Sequence, residues 1–425
     1  MDRLLRLLVT APGVYLLAIG LRLLWALLVP VIPVSDSVAY DAFALNIWQH
    51  GTYGWEADQP GSYWAVGTSG IYAGLYLIFG HHYWPVVALN IALSVGILFF
   101  TGRLCRIFFS DRRVSQWCMV LLALWPTGIL FVTVLASELL FMFFSLAGFY
   151  FFVTTGVRQP MRLLFAGILL AAAYYVRPLI TVGIIIFAVA CAVQLQQRPL
   201  AVLVRTLCCF LVLTLLVAPW AYRNYQLYDD FVPMSSNGGA VFWMGNSPGS
   251  NGGYAEIPPE VTAQADSTYE MSQILKTRAL DYIKAEPQAF IQRTLYKLVR
   301  FHSYETIGVN WNAEGIKARF GEGAVLPMKV ATQAYWLLLV CSGIAGLMVY
   351  LYQAGWARVA THPFLLSWGA NAGIHALIAS QDRYHLPSVP FIAAFAAFAL
   401  VAVLERMRRR RALHSAGEDA LAQTH

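Results

Sequence analysis

Residues 114 to 155 read VSQWCMVLLALWPTGILFVTVLASELLFMFFSLAGFYFFVTT, and Glu138 is the one charged side chain among them. A hydrocarbon core about 30 Å thick needs roughly 20 apolar residues of helix, so the stretch divides into two crossings, 114 to 134 and 137 to 155. The rest of the chain follows the same pattern. Of 425 residues, 59% are hydrophobic and 12% charged, against roughly 25% charged for an ordinary soluble domain. Mean hydropathy is +0.59. These values exclude a soluble enzyme and predict an all-α polytopic membrane protein.

Further apolar runs lie at 12 to 32, 84 to 104, 163 to 176, 178 to 194, 202 to 219, 329 to 352, 363 to 380 and 385 to 404, making about ten helices. Arginines cluster at Arg3 and Arg6, at Arg103, Arg106, Arg112 and Arg113, at Arg158 and Arg162, at Arg198 and Arg205, at Arg358, and at Arg406 with Arg408 to Arg411. In a ten-span arrangement every cluster falls on one side, which the positive-inside rule makes cytosolic. That accounts for the net charge of +7 without a nucleic-acid partner. Acids show the opposite distribution. Asp36, Asp41, Glu56 and Asp58 lie in 33 to 65 without a Lys or Arg, and the loop 220 to 327 holds eleven more.

The expected organisation is therefore helices 1 to 7 in residues 1 to 219, with a first outer loop at 33 to 83. An outer loop at 220 to 327, helices 8 to 10 in 328 to 405 and a basic cytosolic tail at 406 to 425 complete it. MDRLLR with its long apolar run reads as an uncleaved first helix rather than a signal peptide. Arg177-Pro178 divides 162 to 194 into two short helices, because proline lacks a backbone donor and disfavours helix just before it. The run 66 to 80 is short and contains four glycines, so it is expected to be re-entrant or surface-lying. From 262 to 301 helical periodicity returns. There Phe290, Ile291, Leu295 and Leu298 alternate with Arg293, Lys297 and Arg300, the pattern of a helix on the membrane surface whose basic residues reach lipid phosphates. The six cysteines lie in or beside apolar runs and form neither a disulfide framework nor a zinc spacing.

No dinucleotide fingerprint or Walker loop is present, so a nucleotide is not the expected substrate. Candidate chemistry sits at the outer ends of helices. Asp36 either caps a surface helix or is a general base at the membrane face. Asp41, a turn further on, is read as sharing its face. Two carboxylates are too few oxygen ligands to argue a metal site. Glu138 is a helix-start capping acid or a site group. Arg177 requires an anionic partner, a carboxylate or a lipid phosphate. Arg383 repeats that placement with Asp382 as its simplest mate, and Arg22, deeper in the first helix, is expected in an internal ion pair. The nine histidines form no metal-type cluster, and His81 and His82 are read as interfacial.

Four stretches carry a family likeness: DSVAYDAFALNIWQHGTY from Asp36, YYVRP ending at Pro178, PWAYRNYQLYDDFVPMSSNGGAVFWMGNSPGSNGGY from Pro219, and DRYHLPSVPF from Asp382. In this order they resemble the GT-C membrane glycosyltransferases, in particular the bacterial branch similar to dolichyl-phosphate-mannose protein mannosyltransferases and lipid A aminoarabinose transferases. The resemblance implies a GT-C-like fold with surface helices in the first outer loop and a large outer loop between helices 7 and 8. It implies Asp36 as the acidic residue that activates the acceptor. Arg177, Arg223 and Arg383, with Lys297 as a weaker candidate, would hold the donor phosphate. Tyr40, Asp41, Glu138, Asn237, Asn246 and His385 would contact substrate.

The expected function is transfer of a sugar, with inversion, from a polyprenyl-phosphate donor to a glycan, lipid or protein acceptor. The 233 to 254 segment would close over the substrate. The expected setting is a bacterial inner membrane with cytosolic termini and a periplasmic site. Membrane lipids are the other partners, and neither a cofactor nor a metal is called for by the sequence. The rival readings are a polyprenyl-lipid transporter or flippase and a membrane glycan ligase.

Overall fold

The computed structural model describes residues 11 to 109 and 111 to 422. Arg3, Arg6 and the MDRLLR opening lie outside the described residues, as does the side chain of Arg411. All ten apolar runs are helical: α1 (Ala11–Leu28), α4 (Trp84–Phe108), α5 (Arg112–Leu124) with α6 (Pro126–Leu130), α7 (Glu138–Thr154), α8 (Pro160–Val176), α9 (Ile180–Val193), α10 (Pro199–Tyr228), α17 (Val325–Ala354), α19 (Pro363–Leu377) and α20 (Val389–Ala422). In the first outer loop lie α2 (Asp36–His50) and α3 (Gly67–Phe79), which pack on each other. In the large loop lie α11 (Gly238–Asn246), α12 (Pro259–Gln264), α13 (Thr268–Ala285), α14 (Pro287–Ser303), α15 (Ile307–Trp311) and α16 (Ala313–Phe320), and α18 (Trp356–Ala360) links α17 to α19. No β-strand occurs among the described residues.

Among the described residues four helices are long and apolar enough to cross a membrane, five if the bent pair α5 and α6 is one span. The other apolar helices are short. A helix of 17 residues such as α7 or α8 rises about 25 Å, less than the roughly 30 Å core. Those two short helices carry Glu138 at the start of one and lead into Arg177 at the end of the other. Arg177 itself is extended, with φ −152° and ψ 117°, as a residue before proline prefers.

Two prolines change the expected boundaries. Trp125-Pro126 breaks the run 114 to 134 with a 60° bend, leaving carbonyls of the last α5 turn without helical donors. Buried Arg22 supplies them, donating to Leu122 and Ala123 carbonyls at 3.3 and 3.2 Å. The internal ion pair expected for Arg22 is thus replaced by a helix-end cap: a broken helix end offers partial negative charge without a carboxylate. Pro219, read as the end of a span, lies inside α10, which continues to Tyr228.

The core runs through the bundle, where α17 packs on α20, α7 on α4 and α8, and α8 on α10. A separate small core joins α11 to α13 in the outer loop.

The helix read as lying on the membrane surface is α14, and the partners of its basic residues differ from the expectation. Ile291, Leu295, Leu298 and Val299 are exposed. The basic residues turn inward: Arg293 donates to the Ser247 carbonyl at 2.9 Å and Arg300 to the Asn251 carbonyl at 2.9 Å. A loop rich in glycine and asparagine presents more carbonyls than its own backbone satisfies, and these compete successfully for the cations.

Candidate active site

Asp36 is the first residue of α2. Ser35 before it has φ 53° and makes no side-chain cap, so this non-glycine residue occupies the left-handed region at the edge of the site. The Asp36 carboxylate meets Arg383, whose Nη1 donates to Oδ2 at 2.6 Å. The expected neighbour Asp382 instead accepts from Thr306 Oγ1 at 3.1 Å. The Arg383 guanidinium lies 5.0 Å from the Trp311 ring and 5.4 Å from the Tyr384 ring. Burial alone would lower the Arg383 pKa, but Asp36, Tyr384 and Glu138 hold it well above its ordinary value.

A second pair is built from α7 and the turn after α8. Arg177 Nη2 donates to Glu138 Oε1 at 2.5 Å and to Ser137 Oγ at 2.8 Å. Glu138 is buried, and its Oε2 has no hydrogen-bond partner among the described residues; the same holds for Arg383 Nε. Tyr40, one turn along α2 from Asp36, is buried near enough to both pairs to feel their charges. Burial pushes its hydroxyl up to about 12, Asp36 and Glu138 add to the rise, and Arg177 and Arg383 oppose it. Asp36, Tyr40, Glu138, Arg177 and Arg383 thus converge from four chain segments. Ser137 was not singled out from the sequence, since a serine before a helix reads as a cap.

Other candidates are placed elsewhere. Asp41 does not share the face of Asp36, because five residues on lies about 140° round a helix. Its carboxylate accepts from Tyr76 at 2.6 Å and Tyr83 at 2.7 Å, with His81 Nε2 at 3.0 Å. Arg223 holds the first outer loop, donating to the Gly61 carbonyl at 2.6 Å and stacking 4.7 Å from the Trp220 ring.

Lys297 and Asn246 form a cluster of their own, both fully buried. Lys297 Nζ donates to Asn246 Oδ1 at 2.8 Å and to the Leu377 and Ile378 carbonyls at 3.1 and 3.2 Å. Its donors are occupied by the C-terminal end of α19, a favourable place for a cation, rather than presented to a phosphate. Burial, then Arg293, lowers its pKa to about 8. Asn237 is the N-cap residue of α11 and its amide donates to the Tyr63 carbonyl. His385 is buried, with Nε2 3.1 Å from Glu305 Oε2 and its ring stacked on Trp336. It does not reach a substrate surface.

An apolar groove begins where the charged cluster ends. It is lined in part by Phe141, Leu179, Ile180, Pro387 and Ser388, and encloses about 60 Å³. The Arg177 guanidinium lies 6.0 Å from the Phe141 ring, so one wall is shared with the ion pairs. A metal fits poorly here: among the described residues no three His, Cys, Asp or Glu side chains are grouped to hold one, and both carboxylates of the cluster are already paired with arginine.

No protein-family model and no curated protein sequence matches the chain. Solved structures do. The archaeal oligosaccharyltransferase AglB from Archaeoglobus fulgidus, in complex with an inhibitory peptide and a dolichol-phosphate, overlays with a TM-score of 0.55 at 15% identity, over 95% of this chain and 51% of that one. The Archaeoglobus fulgidus oligosaccharyltransferase in complex with Zn and sulfate gives 0.54 at 14% identity, over 94% and 50%. ArnT from Cupriavidus metallidurans, bound to undecaprenyl phosphate, gives 0.45 at 12% identity, over 91% and 78%. The chain spans about half the length of the oligosaccharyltransferase chains it matches. It shares the fold of these oligosaccharyltransferase structures, in keeping with the resemblance in its sequence, and the protein is an integral membrane protein.

Proposed function

We propose that this protein is a glycosyltransferase that moves a sugar from a polyprenyl-phosphate donor to an acceptor at the outer face of the membrane. The observation that carries this reading is the convergence of the Asp36–Arg383 and Glu138–Arg177 pairs around Tyr40 at the head of an apolar groove. A lipid-linked sugar has that sequence of chemistries: a long apolar tail, an anionic phosphate and a polar sugar. The groove takes the first prenyl units, and Arg177 and Arg383 take the phosphate.

In the reaction the acceptor hydroxyl or amine attacks the anomeric carbon as the bond to the phosphate oxygen breaks, with inversion. Asp36 accepts the acceptor's proton, and the arginines stabilise charge developing on the leaving phosphate. Asp36 bound to Arg383 is a poor base. Arrival of the donor phosphate draws Arg383 towards itself, which frees the carboxylate when the substrate is in place. Glu138 holds Arg177 in position. The arginine distribution supports cytosolic termini and a periplasmic site, and the resemblance supports a bacterial inner membrane.

The test is mass spectrometry of surface glycolipids and glycoproteins from a deletion strain carrying wild type or Asp36→Asn at matched membrane levels. One sugar-sized mass increment restored by wild type alone supports the reading. Equal restoration by both removes Asp36 as the base and favours a lipid transporter.

A further inference from the structure

The outer loop holds another cavity, of about 430 Å³, lined by the 231 to 239 segment, by α13 and by Ile378. Its volume lies in the range of pockets that hold a small ligand. The walls are fixed. Ser236 and Asn237 donate main-chain hydrogen bonds to the Ser62 and Tyr63 carbonyls at 2.8 and 3.2 Å, tying this segment to the first outer loop. Tyr63 in turn feels the charge of Asp36, which adds to the rise that burial causes in its pKa. On the other side α11 meets α13 so closely that a Cβ on Gly239 would lie 2.1 Å from the Ser272 carbonyl oxygen.

Two side chains of the lining have unused capacity. Ser236 is 7% exposed, and its hydroxyl has no hydrogen-bond partner among the described residues, an arrangement that costs free energy until a partner is supplied. Lys276 is the charged residue of the lining, is exposed and makes no salt bridge among the described residues. The nearby carboxylate, Asp230, is already bound by the Tyr269 hydroxyl and by the Phe231 amide at 2.6 Å. Gln273 adds an amide, and Phe231 and Phe242 add apolar ring surface.

We propose that this cavity is an acceptor subsite that takes an anionic sugar, its phosphate or carboxylate on Lys276 and its hydroxyls on Ser236 and Gln273. The assignment rests on the transferase reading above and names the acceptor class for it. A cation beside hydroxyl and amide groups, with ring faces between them, matches a charged saccharide better than an apolar peptide or a neutral lipid.

The full chain in lipid nanodiscs is titrated with glucose 6-phosphate, glucuronate, glucose and inorganic phosphate, followed by saturation-transfer NMR. The charged sugars are expected to bind about tenfold more tightly than glucose, the gain of one charge-assisted contact. Glucose 6-phosphate and glucuronate distinguish a phosphate from a carboxylate source. Lys276→Gln should erase the preference, and Ser236→Ala should weaken every sugar. Glucose binding as tightly as the charged sugars, inorganic phosphate competing as well as glucose 6-phosphate, or a preference that survives Lys276→Gln would each overturn the subsite. If wild type transfers no sugar from a polyprenyl-phosphate donor, the enzyme reading falls and the acceptor assignment falls with it. Loss of the binding preference alone leaves the enzyme reading standing.

Discussion

Asp36 and Arg383 are 347 positions apart in sequence and 2.6 Å apart in space, so removing either should disturb the other. The perturbation is Arg383→Gln, Asp36→Asn and the double variant. With side chains 20% and 12% exposed, the pair is mostly buried. Breaking a fully buried pair costs about 3 to 5 kcal/mol, and partial hydration reduces this to about 2 to 3 for Arg383→Gln. On turnover, losing one preorganised donor to a developing anion costs roughly 10² to 10³-fold, and losing a general base roughly 10² to 10⁴-fold. The base acts only on a donor-occupied site, so the two losses overlap. The double variant should fall within about tenfold of the worse single one. Proteoliposomes supplied with labelled polyprenyl-phosphate sugar and an envelope extract report release of polyprenyl phosphate, and thermal unfolding in the same lipid reports stability. A double-variant loss equal to the product of the single losses, or wild-type turnover by Arg383→Gln, would refute the shared-arginine mechanism.

Glu138 is 1% and Arg177 18% exposed at the side chain, so Arg177→Met should destabilise the fold by about 3 kcal/mol and Glu138→Gln should recover at least half of it; additive melting shifts in the double-mutant cycle would contradict the pairing. Lys297 is held at about 8, against an ordinary value of 10.5. The unfolded chain therefore binds more protons between those values, the burial cost is full below about pH 8, and stability should rise with pH through that window. Denaturant unfolding at about pH 7 and about pH 10 checks it: Lys297→Gln should lose this part of the slope, and an unchanged slope would sink the assignment. Gly252 has φ +79°, and an added Cβ would lie 2.5 Å from Lys297 Cγ. Gly252→Ala should cost about 1 to 3 kcal/mol, read as a lowered melting temperature and faster proteolysis of the 246 to 253 loop; an unchanged melting temperature would argue against the packing.

Helix positions were legible because hydrophobicity and proline act locally. The ten apolar runs became helices, and Arg177-Pro178 separated α8 from α9 because a proline lacks a backbone donor and turns the residue before it away from helix. Asp36, Glu138, Arg177 and Arg383 stood out because ionised groups beside apolar runs demand partners. Which partner each takes was not legible. Arg383 took Asp36 rather than adjacent Asp382, Arg22 took carbonyls freed by a bent helix, and Lys297 with Asn246 closed on the end of α19 instead of waiting for a phosphate. Even on α14 the basic residues took loop carbonyls rather than lipid phosphates, since periodicity separates apolar from basic residues without saying what each set meets. By itself the sequence determined what must be satisfied, the burial of apolar runs and the pairing of charges at their ends. Only the tertiary structure decided what satisfies it, because a charge pairs with whatever helix end or carbonyl the packing brings within about 3 Å, and that is set by contacts hundreds of residues away.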